Sequence, residues 1–187
     1  KLCDRYQITI IGICPEQTSP KPNNIAVKQK HRQEEVLNYY RQMIDIACVL
    51  GCRQVLVTSG CCYYSEAVEE AWNRSVVMMK RITDYAKQRN VILALEALQP
   101  EESRLVNTIQ DIRRYRNEVG SSCLKVCIDF GAMARMGHTP REYFEAFGSD
   151  IVHIHFVDGN PTGHLAWGDG SRDLKADLAV LEEYGYP

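Results

Sequence analysis

The sequence has no CxxC pair, no Cys/His spacing of the kind that holds structural zinc, no GxGxxG turn and no GK[ST] phosphate loop. These absences argue against a redox or zinc module and against a nucleotide-binding open sheet, which should carry a glycine-rich turn after its first strand. No apolar run approaches the roughly 18 residues needed to cross a bilayer, and no charged-then-apolar leader opens the chain. Charge of one sign is also lacking. The formal net charge is -2, with both signs mixed along the chain, so neither a basic nucleic-acid-binding face nor a polybasic membrane-binding run is present. The expectation is a soluble protein acting on small molecules, with neither nucleic acid nor membrane as partner.

The 187 residues are 45% hydrophobic and 25% charged, ordinary globular material for a single domain over residues 1–187. The chain begins at Lys1 rather than Met and stops in "EEYGYP", which leaves room for further sequence on either side. Eight cysteines would suit a secreted disulfide scaffold, but Cys14, Cys48, Cys52, Cys123 and Cys127 fall in apolar periodic segments. Buried thiols in a reducing cytoplasm fit that placement better. The vicinal Cys61-Cys62 pair lies at a strand exit, where packing as small hydrophobes is the default reading and redox reactivity the sharper one.

Short, nearly continuous apolar runs at 7–14, 53–60, 91–98, 124–131 and 150–157 predict strands of a parallel sheet covered on both faces. Between them, 32–50 places Val36, Tyr39, Tyr40, Met43, Ile44 and Ala47 on one helical face, with Gly51 as its C-cap. Further helices are expected at 65–89, about 104–118, 140–147 and 175–184. The β-α alternation means either a (β/α)8 barrel or a doubly wound sheet. A loop rich in Pro and Asn follows the first strand.

The ionisable residues choose between these two architectures. Glu96 in "LALEAL", Asp129 in "VCIDFG" and His153 and His155 in "VHIHFV" all sit at strand C-terminal ends, where parallel α/β folds bind ligands. A barrel aims such groups at one point; an open sheet spreads them along a line. Convergence favours the barrel. A lone buried acid such as Glu96 is costly unless it is paired or a ligand. Asp129 can serve the site or cap a helix. His153 and His155 share a strand face, and His155, nearer the C-terminal end, is the better ligand candidate. Asp158 can cap a turn before Gly159 or serve the site, His138 reads as structural, and Glu16 ends the first strand within reach of the pocket.

"LALEALQPEES", "VCIDFGAM" and "VHIHFVDGNPTGHLAWGDG" together resemble the sugar phosphate isomerase/epimerase family of xylose-isomerase-like barrels, and within it the ketose 3-epimerases of the fructoselysine and psicose/tagatose type. The resemblance covers nearly the whole chain. It implies a (β/α)8 barrel of which this chain carries strands three to seven, with one divalent ion, Mn2+ ahead of Mg2+ or Co2+. Glu96, Asp129 and His155 match three of the metal ligands, and Glu96 also matches a catalytic acid-base group. A second Glu belongs to the eighth strand, beyond "EEYGYP". Glu102 matches a substrate-contacting acid and His164 a loop histidine facing the substrate. The resemblance further implies a small-molecule sugar as partner, with self-association common in such proteins. Three departures stand out: Ala132 where some members carry His, Asn160-Pro161-Thr162 in place of a loop Arg, and Arg104 in place of a common Asn.

The implied chemistry suits these residue types. Removing the proton beside a ketone is feasible only if the resulting enediolate is stabilised, which a divalent ion does. Carboxylates on opposite faces of the sugar then take and return the proton. Oxygen and imidazole ligands suit Mn2+ or Mg2+. An apurinic-site endonuclease would use a related barrel but needs more ligands and a basic DNA-facing surface. A chain ending at Pro187 would lack the second Glu and read instead as a non-catalytic barrel remnant with an open sheet edge.

Overall fold

In the computed structural model, residues 2–17 and 22–187 are described. The elements run α1 (Leu2–Tyr6), α2 (Lys30–Leu50), β1 (Gln54–Thr58), α3 (Val68–Gln88), β2 (Ile92–Glu96), α4 (Ile109–Val119), β3 (Leu124–Asp129), α5 (Phe130–Arg135) and α6 (Pro140–Phe147), then β4 (Ile151–His155) and α7 (Leu174–Glu183). The four strands are all parallel and lie in the order β1-β2-β3-β4. A doubly wound sheet reverses its order at a switch point; this one never does, so each crossover adds the next strand on the same side, as along a barrel wall.

Strand parity divides the side chains. Val55, Val57, Leu93, Leu95, Val126 and Ile128 point outward and are fully buried under the helices. Burying each such side chain stabilises the fold by about 1.5–3 kcal/mol. Leu56, Ala94 and Cys127 form a separate, smaller inner cluster flanked by Val152. The sheet is therefore largely apolar on both faces at mid-height, and the last inward position of each of β2, β3 and β4 is ionisable.

The helices have local causes. α2 buries Val36, Leu37, Tyr40, Ile44 and Ala47, and Gly51 ends it in the left-handed conformation at φ 75°. Thr108 with Asp111 and Thr139 with Glu142 form reciprocal capping boxes that start α4 and α6, the latter reinforced by Pro140 in its first turn.

Three expectations need correction. The predicted strand at 7–14 contributes only a parallel bridge from Ile13 to Val55, closed by Ile13 N–H to Gln54 O (3.0 Å) and Leu56 N–H to Ile13 O (2.8 Å). Ile8 and Ile11 are exposed, so the apolar run there is not matched by burial. Of the five cysteines expected to be buried, only Cys127 is; Cys14 is exposed and Cys48, Cys52 and Cys123 are half-buried. Cys48 follows Ala47 on α2 and falls one position off the buried stripe. α5 was not anticipated, because its six residues are too few to show a helical period.

Candidate metal and substrate site

Glu96, Asp129 and His155 are each the last residue of a strand, on β2, β3 and β4. Glu96 is paired in register with Cys127, and Asp129 with His155. Parity turns all four toward the concave side. His155 Nδ1 lies 2.7 Å from Glu96 Oε1 and 3.4 Å from Asp129 Oδ2. This nitrogen is buried, yet neither contact has the direction of a hydrogen bond. The imidazole nitrogen thus stands between two carboxylates.

The electrostatics follow from that crowding. The Asp129 and Glu96 carboxylates push the His155 imidazole up to about 10, so this point favours positive charge. Burial pushes the Glu96 carboxyl above its ordinary range despite the pull of His155. Burial acts on Asp129 in the same sense, but His155, the Ala132 N–H and His164 together hold it below the usual carboxylate range. His153, one inward position before His155, is lowered by burial and by the neighbouring His155. It lines an open cavity of about 240 Å³ with Cys14, Gln54 and Leu56 on the inner side of the sheet.

Asp129 does both of the things its sequence position allowed. Its Oδ1 accepts the Ala132 N–H (2.7 Å) and so caps α5, while its Oδ2 lies 2.8 Å from His164 Nε2. His164 is largely exposed at the mouth. It reaches Asp129 because Asp158 gathers the loop around itself. Asp158 bridges to Leu165, and its carboxylate accepts N–H groups from Gly159, Gly168, Gly170 and Arg172 at 2.7–3.1 Å. Burial opposes its ionisation, yet those four N–H groups hold Asp158 down at about 2. A side chain on Gly170 would collide with the Asp158 carboxylate. Asp158 therefore holds the loop together.

The same loop is anchored beneath. Arg172 grips Asp177 through two bonds of 2.9 Å and lies over the Phe130 ring, and Trp167 packs on Phe156 at 4.5 Å.

Glu102 is exposed at the rim, where its Oε2 accepts the Gln99 N–H (3.2 Å); it is close enough for its charge to raise Glu96 further. Glu16 is exposed near Cys14, its N–H donating to the Tyr39 hydroxyl (3.0 Å). His138 sits against Tyr143, with its Nδ1 4.0 Å from Glu142 Oε2. Cys62 is buried and receives Arg104 Nη2 at 3.3 Å, beside an exposed Tyr64 whose ring Arg104 covers.

Cys127 is the residue that sequence reading passed over. Among the described residues, one set of three potential ligand atoms lies within 4.8 Å of one another, and it is Glu96, Cys127 and His155. Cys127 stands two residues before Asp129, and that parity alone places its thiol on the ligand face.

A family model described as xylose isomerase-like TIM barrel matches residues 1–187. Fructoselysine 3-epimerase of Shigella flexneri is 27% identical over 187 residues, covering 99% of this chain and 67% of that protein. Inosose isomerase of Bacillus subtilis (strain 168) is 26% identical over 160 residues, covering 81% of this chain and 57% of that protein. Among solved structures, a D-tagatose 3-epimerase-like protein superposes with a TM-score of 0.85 at 24% identity, covering 99% of this chain and 70% of that one. The 3-keto-D-glucoside 4-epimerase of E. coli superposes at 0.84 with 15% identity, covering 99% and 71%. The chain thus spans about two thirds of the length of its fructoselysine-epimerase relatives.

Proposed function

The chain belongs to the xylose isomerase-like TIM barrel family, and from that premise we propose that it takes part in divalent-metal-dependent epimerisation or isomerisation of a ketose or ketose derivative. One observation carries this reading. The buried His155 Nδ1 lies 2.7 Å from one carboxylate and 3.4 Å from another, so three potential donors crowd one point at the strand ends, an arrangement suited to donors sharing a cation. The names of the relatives, epimerases and isomerases of sugars and of inosose, support the substrate class.

Glu96, Asp129 and His155 would hold the ion, with Mn2+ or Mg2+ suited to an oxygen-rich set and Co2+ also admissible. When bound, such an ion supplies the positive charge that offsets the charge left on the sugar oxygens as a carbon-bound proton departs. Glu96 takes that proton. Its burial raises its basicity above that of an ordinary carboxylate, the direction a general base requires. His164 and Glu102, at the mouth, orient the sugar hydroxyls. Returning the proton from the opposite face needs a second acid, which the family resemblance assigns to the strand following the five read in this sequence. A small sugar is the partner. Residence in a reducing cytoplasm suits the thiols of Cys14, Cys48, Cys52, Cys62, Cys123 and Cys127, none of which is in a disulfide.

The test is incubation of the purified, Mn2+-loaded protein with a panel of ketoses in D2O. Deuterium incorporation at the carbon beside the carbonyl is expected for at least one of them. A protein that binds Mn2+ but exchanges none would overturn the reading.

A further inference from the structure

We propose that Cys127 gives this centre a second, deeper metal register, in which thiophilic divalent ions of the zinc and cadmium class bind Glu96, Cys127 and His155. The inference rests on the reading of Glu96 and His155 as ligands of one hard ion and adds a competing mode at the same place.

The argument begins with strand geometry. Cys127 and Asp129 are two apart on β3 and face the same side. Cys127 is the register partner of Glu96 across β2 and β3, whereas Asp129 is the partner of His155 across β3 and β4. Glu96 and His155 therefore stand between a carboxylate at the strand end and a thiol one inward position below it. The donor atoms of Glu96, Cys127 and His155 already lie within 4.8 Å of one another. With bonds of about 2.0–2.3 Å, the donors around a tetrahedral ion stand roughly 3.5 Å apart, so modest side-chain adjustment closes the set.

Selectivity follows from softness. Mn2+ and Mg2+ prefer carboxylate oxygen and gain little from sulfur, whereas thiolate strongly favours zinc-class ions. A sulfur–metal bond forms as the Cys127 thiol proton passes to water, and no oxidant is involved. Asp129 is not stranded by the change, because the Ala132 N–H and His164 still engage its two oxygens. Cys127 is fully buried within the small inner cluster of Leu56 and Ala94, one inward position below the strand-end carboxylates. Thiophilic ions should then exclude Mn2+ by occupying two of its ligands.

The experiment compares the purified protein with its Cys127→Ser variant. Mn2+ binding is read by loss of the free-ion electron paramagnetic resonance signal, and Cd2+ binding by the ultraviolet thiolate-to-cadmium absorption. Equal Mn2+ affinity in both proteins is expected; it also shows that the variant folds. The cadmium–thiolate band at the first equivalent should be lost in Cys127→Ser, and the ability of Zn2+ to displace Mn2+ should weaken on the order of tenfold or more. Normal Mn2+ binding with identical cadmium absorption and zinc competition in the two proteins overturns the inference and leaves the proposed function standing. Failure of the unaltered protein to bind Mn2+ overturns both.

Discussion

His164 Nε2 lies 2.8 Å from Asp129 Oδ2, joining the loop after β4 to the end of β3, while the other oxygen of the same carboxylate caps α5 through Ala132. Asp129 thus couples loop position, helix start and ligand geometry. Replacing it separates the functions. Asp129→Asn keeps a good N-cap, whereas Asp129→Ala loses it at a cost of about 1 kcal/mol. Both variants should bind Mn2+ much more weakly, but only Ala should show the additional fall in stability by urea denaturation.

Glu96→Gln keeps nearly the same volume in its buried position and removes the base. Deuterium exchange into a ketose substrate should fall by at least about 100-fold, the lower range for loss of a general base, while the circular dichroism spectrum stays unchanged. Retention of full exchange would remove Glu96 from the proton-transfer role.

Binding of an ion to the folded state alone must raise stability. At a free Mn2+ concentration of 100 times its dissociation constant, the gain is about 2.7 kcal/mol, and chelation should abolish it. The comparison is thermal unfolding with Mn2+ and with excess chelator; the difference should vanish in Asp129→Ala.

Asp158 sets an acid limit on the loop. Four N–H groups hold its carboxyl down at about 2, below the value of about 3.9 expected in an unfolded chain. A group depressed in this way contributes its stabilisation above the unfolded value and loses it as the pH falls toward the folded one. Loop protection, followed by limited proteolysis with an acid-active protease, should therefore decline between about pH 4 and pH 2. Asp158→Asn should be poorly protected already at neutral pH and show little further decline.

Arg172 and Asp177 form a largely buried, two-bonded pair, with side-chain exposures of 13% and 11%. Arg172→Met leaves Asp177 without its partner and should cost about 3 kcal/mol in urea denaturation. The double variant Arg172→Met/Asp177→Leu should recover much of that loss, since a well-packed apolar pair can replace a buried ion pair.

Much of the scaffold was legible because its causes are local. The 3.6-residue spacing in α2 and Gly51 beyond it determine where that helix lies and ends. The apolar runs mark β1 to β4 to within two residues at either end, since burial on both faces leaves no polar alternation. The 7–14 run misled for the same reason: apolar composition states a preference for burial, but a strand also needs a neighbouring strand to pair with, and in this run only Ile13 is bridged to one. Glu96, Asp129 and His155 were legible as charged interruptions at strand ends. The roles of Asp158 and Cys127 were not, because Asp158 acts on N–H groups up to fourteen residues away and Cys127 reads as one more small hydrophobe.

The sequence by itself determined which residues face which side, because strand parity and helical period are properties of the backbone. Only the tertiary structure decided which of those residues meet. The parallel register sets Cys127 beside Glu96 and Asp129 beside His155, and the Asp158-centred loop brings His164 onto Asp129. Such meetings depend on the alignment of segments 26 to 35 residues apart, which sheet hydrogen bonding and core packing fix together and no local pattern encodes.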